Sequence, residues 1–194
     1  MPDRMTIEQR HNNMAAIKGK DTKPEILVRK FLWARGFRYR LNHPRLPGKP
    51  DIVLRKYRTC ILVNGCFWHG HKGCQYATKP KSNIEFWETK IARNRHRDEV
   101  TSAHLEALGW HVITIWECEL KGKSTATSRL DALAEEIREA GIALLERKAL
   151  SKNNRLAAQS KARELMERQA QLEAEVAALY PIPKKIKREA RTDI

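Results

Sequence analysis

The chemically densest stretch of the chain is Asn64-Gly-Cys-Phe-Trp-His-Gly-His-Lys-Gly-Cys74, which gathers two cysteines, two histidines and two adjacent aromatics into eleven residues. Cys66, His71 and Cys74 stand at metal-ligand spacing, and Cys118, in Trp116-Glu-Cys118, offers a fourth soft ligand. Thiolate and imidazole are the donors of closed tetrahedral zinc sites, so the natural reading is a Cys3His zinc that staples this loop to a distant strand end. His69 has two roles open to it. Its Cys66-Phe-Trp-His69 spacing would also suit zinc in place of His71, while a free imidazole on the same turn has the chemistry of a base working near neutral pH. Further upstream, Pro50 holds the chain extended before Asp51 and presents that carboxylate at the mouth of a strand. Carboxylate oxygen is a hard donor that suits Mg²⁺.

These groups need a scaffold, and composition bounds it. At 194 residues and 41% hydrophobic, the chain can bury one core, so one domain with an extension is expected. The formal charge is +15; residues 151–194 hold ten Lys/Arg against six Asp/Glu, which leaves +11 on residues 1–150. The basicity therefore belongs to the body, and a polyanionic partner is expected. No apolar leader and no long apolar run occur, which argues against secretion and membrane insertion, and four cysteines then point to metal rather than disulfides.

Patterning supplies the elements. Residues 1–20 are polar and basic, either a frayed terminus or an arm that follows a nucleic-acid groove with Met14 as an apolar wedge. Thr22, Pro24 and Glu25 predict a helix start with a capping box, running to about Arg35 and ending at Gly36. Glu25 thus has a structural role beside any role near a metal. Strands are predicted at Phe37–Leu41, Asp51–Arg55, Thr59–Asn64 and His111–Trp116 from β-branched and aromatic runs between turn signals. A tight turn at Lys56-Tyr57-Arg58 would pair Arg55 with Thr59 and so bring Asp51 opposite Val63. Cys60, inside this run, reads as a packed thiol.

A long helix is expected from Ser82 to Leu108, with Ser82 as cap, Glu85 closing a capping box and Gly109 ending it. Lys90, Arg93, Arg95 and Arg97 load its polar face, as a solvated surface or as phosphate contacts; Trp87 with Ile91 reads first as core. Thr127–Ala140 forms another helix ending at Gly141. Beyond it, Ile142–Leu150 and Lys161–Leu179 read as helix until Pro181-Ile-Pro183, and Lys184-Lys-Ile-Lys-Arg188 closes the chain.

Helix, three strands, helix, strand and helix, with Pro50-Asp51 at a strand start, resembles the core of the PD-(D/E)xK nucleases. With Leu46-Pro-Gly-Lys-Pro-Asp51, Gly65-Cys-Phe-Trp-His69, Glu85-Phe-Trp87, Lys90-Ile91, Arg97-Asp98, Leu108-Gly-Trp110 and Trp116-Glu-Cys118, the chain more closely resembles the very short patch repair (Vsr) endonucleases, over about residues 10 to 122. The resemblance implies an α/β fold: a restriction-endonuclease-like core with a mixed central sheet flanked by helices and a zinc-stapled loop. The chain would then divide into a DNA-contacting arm (1–20), a nuclease domain (21–141) and a basic, helical C-terminal extension (142–194) that the resemblance does not reach.

The same resemblance implies a DNA endonuclease that nicks one strand beside a T:G mismatch left by deamination of 5-methylcytosine, using catalytic Mg²⁺ and carrying structural Zn²⁺. Asp51 and the carbonyl of Val63 would hold Mg²⁺, and His69 would act as general base. Asp98 and Glu25 would hydrogen-bond around the metal and its waters, and Cys66, His71, Cys74 and Cys118 would hold Zn²⁺. Phe67, Trp68 and Trp87 would wedge into the duplex, although adjacent aromatics also serve as core, and Lys90, Arg93 and Arg97 would meet phosphates. Where many members carry a second His this chain has Asn64, and Val63-Asn64-Gly65 lacks the acid and Lys of the wider superfamily. A monomer in a bacterial-type, nucleoid-associated cytoplasm, acting with other repair proteins, completes the expectation. Two other readings remain: a zinc-stapled module that binds DNA without cutting it, and a restriction-type nuclease on paired DNA.

Overall fold

The computed structural model describes residues 6, 8, 9, 12, 19–78 and 82–179. Met14, most of the expected arm, the Pro181-Ile-Pro183 stop and the basic close after it lie outside the described residues. Helix α1 (Lys23–Ala34) begins at the predicted capping box: Thr22 Oγ1 accepts from Glu25 N and the Glu25 carboxylate accepts from Thr22 N. Strands β1 (Arg40–Leu41), β2 (Ile52–Leu54), β3 (Thr59–Asn64) and β4 (His111–Trp116) form one mixed sheet in that order, with β1-β2-β3 antiparallel and β3-β4 parallel. Helix α2 (Ile84–Ala107) lies in the crossover between the two parallel strands, and α3 (Lys123–Leu179) follows β4.

Strand alternation sorts the core onto two faces. Ile52, Leu54, Ile61, Ile113 and Ile115 pack on one side with Val28 and Leu32 of α1 and Leu130, Leu133 and Ile137 of α3. Val53 and Cys60 pack on the other with Leu105 of α2, flanked by Val112. This is an α/β sheet with helices on both faces. Cys60 is fully buried there, and burial pushes its thiol up to about 12.

Four details differ from expectation. The first two strands are shorter than predicted, because Phe37 turns into the core before pairing begins at Arg40 and β2 closes at Leu54. The β2-β3 register pairs Ile52 with Ile61 and Leu54 with Thr59, one residue away from the predicted pairing. A 3-10 turn at Arg55–Tyr57 with Arg58 at φ 54° lengthens the connection. Apolar sorting enforces this register: paired residues share a face, and Ile52 with Ile61 belongs to one core cluster while Val53 with Cys60 belongs to the other. A slip by one would mix them.

Helix α2 starts at Ile84, with Asn83 at φ 52° as its N-cap and no side-chain cap bond, so the Ser82 box is not the start signal. Gly141 does not end a helix either, since α3 runs through it. A Cβ at Gly141 would lie 2.7 Å from the Tyr57 ring, so this glycine marks a close approach between α3 and the β2-β3 turn. Among the described residues no helix is long and apolar enough to cross a membrane. The chain divides into two compact units, Met1–Leu144 and Leu145–Ile194, and the sheet, the Cys66, His71, Cys74 and Cys118 cluster, Asp51 and His69 lie in the first.

Helix propensity alone favours Ala over Gly by about 1 kcal/mol in a helix interior. Gly141→Ala should nevertheless lower the urea midpoint, and the same change in a Tyr57→Ala background should raise it. Stabilisation by the single substitution would show that the ring contact does not select glycine.

Candidate active site

The loop after β3 has little regular structure, so side chains must hold it. Nδ1 of His71 lies 3.6 Å from Sγ of Cys66 and 3.4 Å from Sγ of Cys118. The ligand atoms of Cys66, His71, Cys74 and Cys118 all fall within 4.8 Å of one another. A tetrahedral zinc with Zn–S near 2.3 Å and Zn–N near 2.0–2.1 Å would separate a nitrogen and a sulfur ligand by roughly 3.5 Å, so the donor set and its spacing fit that ion. The His71 ring stacks on Trp116 at 4.0 Å and 3°, which fixes its orientation. Burial, compounded by the Cys66 and Cys74 thiols, pushes Cys118 up to about 12, and burial also raises Cys66. At Cys74 burial acts upward too, but the Tyr76 N–H and the other two thiols outweigh it and the net shift is downward. Three crowded thiols resist joint ionisation until a cation compensates them.

At the mouth of β2, Oδ2 of Asp51 accepts a hydrogen bond from Val63 N at 2.8 Å. The pairing arises by reach of the side chain, since in the observed register the residue opposite Asp51 is no longer Val63. Burial raises the Asp51 carboxyl above the usual carboxylate range; the Val63 N–H opposes that, Glu25 adds to it, and Arg29 and His69 oppose it again. Glu25 is almost fully buried and heavily used. It accepts from Thr22 Oγ1 at 2.8 Å, from Asp21 N at 3.0 Å and from the Arg29 guanidinium at 2.7 Å. Arg29 also pairs with Asp21. The predicted capping box of Glu25 is thus in place, and the same carboxylate lies within electrostatic reach of Asp51.

His69 is not among the four clustered donors. Its Nδ1 lies 2.5 Å from Oδ2 of Asp98 on α2. An ionised carboxylate only accepts, so Nδ1 carries the proton and the lone pair of the neutral ring resides on Nε2. Asn94, one turn earlier on the same helix, donates from Nδ2 to the Trp68 carbonyl at 2.9 Å and fixes the loop between the aromatics and His69.

Phe67, Trp68 and Trp87 form a half-buried cluster, each pair edge to face with centroids 5.2–5.8 Å apart. The largely exposed Phe86 joins at 5.3 Å from Trp87, and the Lys90 ammonium stands 5.3–5.5 Å from the Trp68, Phe86 and Trp87 rings. Trp87 therefore packs against the loop rather than into the main core. Arg93 is exposed and Arg97 donates to the Asn94 side chain at 3.2 Å. Sequence reasoning missed Arg29, Asn94 and Phe86. For Arg29 the signal was the Glu25–Arg29 spacing of four on one helix; for Asn94 it was the position three residues after Ile91 and four before Asp98.

Residues 2–75 match the family described as DNA mismatch endonuclease Vsr. The type II nicking enzyme V.NmeAIP of Neisseria meningitidis serogroup A is 50% identical over 140 residues, covering 72% of this chain and 99% of that relative. The type II nicking enzyme V.XorIIP of Xanthomonas oryzae pv. oryzae is 44% identical over 130 residues, 67% of this chain and 95% of that relative. The DNA mismatch endonuclease Vsr of Escherichia coli K12 is 39% identical over 130 residues, 67% and 81% of the two chains. With half of the 140 aligned residues identical across nearly the full length of a nicking enzyme, on a sheet that carries this acid, imidazole and thiol arrangement, the chain belongs to the Vsr family of DNA endonucleases.

Proposed function

We propose that this protein nicks one strand of duplex DNA beside a T:G mismatch, by Mg²⁺-dependent phosphodiester hydrolysis, as in very short patch repair. The observation that carries this reading is the His69–Asp98 pair beside Asp51, next to a half-buried aromatic cluster topped by an ammonium.

Asp51 and the carbonyl of Val63 would hold Mg²⁺. In an extended strand the N–H and C=O of one residue leave on the same side, and the Val63 N–H already points at Asp51. Two hard oxygens on one edge suit that ion. When bound it supplies neutralisation of the charge that grows on the phosphate oxygens. Asp98 holds His69 in the tautomer whose Nε2 accepts the proton of the attacking water, and stabilises the imidazolium that results. Arg29 offsets the buried charge of Glu25 and Asp51, so the helix start and the metal-binding edge coexist. Phe67, Trp68 and Trp87 would enter the stack where pairing is weak. Unstacking costs a few kcal/mol per step and least at a mismatch, which is how a sequence-tolerant wedge acquires preference for T:G.

A panel of duplexes, one with T:G and one fully paired, tests this in each sequence context with and without Mg²⁺. The expected outcome is a single nick on T:G, lost in Asp51→Asn with DNA binding retained. Cleavage of the paired duplex would establish a restriction-type enzyme instead, and tight mismatch binding with no nick in any context would establish a binding module. Asp51→Asn has a second consequence, because Asn keeps an acceptor for the Val63 N–H. The raised Asp51 carboxyl binds its proton more tightly folded than unfolded, so metal-free stability falls as pH rises from about 4 through the folded value. The variant should lack that decline, and Mg²⁺ should raise the melting temperature of the parent alone; equal melting curves across pH would refute the burial argument.

Asp98→Asn reverses the tautomer preference at His69. Nicking at saturating T:G duplex should fall by about 10²- to 10⁴-fold while affinity holds, as general-base contributions of that order require. An unchanged rate would remove His69 from the proton path.

Cys66, His71, Cys74 and Cys118 should release about one zinc per chain to a strong chelator, with loss of the Trp fluorescence signature of the loop before global unfolding. Release should become easier at lower pH, since protons compete for the thiolates. A chelator that removes metal and leaves nicking and loop fluorescence intact would contradict the staple.

A further inference from the structure

From Arg147 to Arg163 the helix α3 carries six Lys/Arg and no Asp/Glu over 17 residues, and every one of those residues is exposed. Acidic residues resume at Glu164, and only then do the i,i+4 partnerships of a solvated helix appear, as in Arg163–Glu167 at 2.9 Å and Gln169–Glu173 at 3.0 Å. At about 100° per residue, Lys148, Lys152, Arg155, Gln159 and Arg163 fall within an arc of about 80° on one face. Lys148 and Lys152 stand four apart with no carboxylate three or four positions away from either. Like charges at that spacing oppose the helix by several tenths of a kcal/mol. From Lys148 to Arg155 the face gathers cations with no carboxylate within reach along the helix, and only Arg163 at its far end has one, Glu167; such a face is matched by an external polyanion, and this family acts on DNA.

We infer that this face of α3 is a second DNA-binding surface, which takes the phosphates of duplex DNA independently of the groups around Asp51. From Lys148 to Arg163 the face spans roughly 22 Å at about 1.5 Å per residue. At 3.4 Å per base pair that is about six to seven base pairs of backbone. Its contacts go to phosphate, so it adds affinity without sequence or mismatch preference. The relative V.NmeAIP is covered over 99% of its length by 72% of this chain, which leaves 28% of this chain without a counterpart there. The inference rests on activity on DNA and not on the reading of T:G.

The test compares the full chain with its Lys148→Gln/Lys152→Gln/Arg155→Gln/Arg163→Gln variant, by fluorescence anisotropy on a fully paired 30-base-pair duplex over a range of salt concentrations. Each lost phosphate contact lowers the slope of log K against log salt by about 0.9, so four contacts amount to about 3.6, with roughly tenfold or greater loss of affinity at physiological salt. Nicking at saturating DNA and far-ultraviolet helix signal should be unchanged, and a Lys148→Arg/Lys152→Arg variant should bind as the parent does. An unchanged slope and affinity would overturn the inference, as would a variant that loses only binding to vesicles of anionic phospholipid or only self-association. Loss of mismatch preference by the parent would bear on the proposed function and leave this result standing.

Discussion

One face of α2 holds the site together. Trp87, Ile91, Asn94, Asp98, Thr101 and Leu105 recur at three- and four-residue intervals, so they lie in one stripe along the helix. Each touches a different part of the apparatus. Trp87 packs on Phe67 and Trp68, Ile91 meets the backbone at Gly70, Asn94 holds the Trp68 carbonyl and Asp98 holds His69. Thr101 meets Gly48, three residues before Asp51, and Leu105 anchors the stripe among Val53 and Cys60 under the sheet. The aromatic cluster, His69 and the turn that leads into Asp51 are thereby referred to a single rigid element, and that element is fastened by ordinary apolar burial.

The loop itself could not do this alone. Between Asn64 and Thr78 the backbone makes isolated turns, such as His71 N to Cys66 O at 2.9 Å and Ala77 N to Cys74 O at 3.0 Å. Local turns of this kind leave many conformations of similar energy. The thiol and imidazole cluster closes the loop onto the end of β4 through Cys118, and α2 closes it from the other side. The division of labour is chemical. Soft donors gather at the far end of the turn, while the carboxylate of Asp51 and the backbone of Val63 stay at the strand mouth. His69 is kept from joining the soft set by its bond to Asp98. Donors of such different softness suit different cations.

How much of this was readable in advance depended on the range of the interaction that decides each feature. Strands β3 and β4 and the cap of α1 follow from neighbours in sequence, and the structure keeps them where pattern and capping chemistry place them. The four soft donors were legible because the ligand types are rare and their spacing is short. The β2-β3 register was not, since a single extra turn residue decides it and only the sorting of Ile52, Val53, Cys60 and Ile61 onto two faces selects the outcome. Gly141 misled for the related reason that a glycine reads as a helix end unless a distant ring, here that of Tyr57, is known to press on it. Arg29 escaped notice because its spacing of four from Glu25 reads as an ordinary surface pair on a helix until that carboxylate is seen to be buried.

Two glycines show why the stripe works as a ruler. A Cβ on Gly48 would lie 2.2 Å from Thr101 Cγ2, and one on Gly70 would lie 2.6 Å from Ile91 Cγ2; both glycines have positive φ, at 66° and 59°. The backbone of each loop therefore rests directly on a helix side chain, with no side chain of its own between. Such contacts are stiff, because backbone cannot change rotamer to relieve them. The two helix side chains stand ten residues apart on α2, or roughly 15 Å along its axis. The turn into Asp51 and the turn around His69 are each pinned at one end of that interval. The separation between Asp51 and His69, which come from different loops, is consequently fixed by the rise of a helix, a quantity that does not vary with the flexibility of the loops themselves.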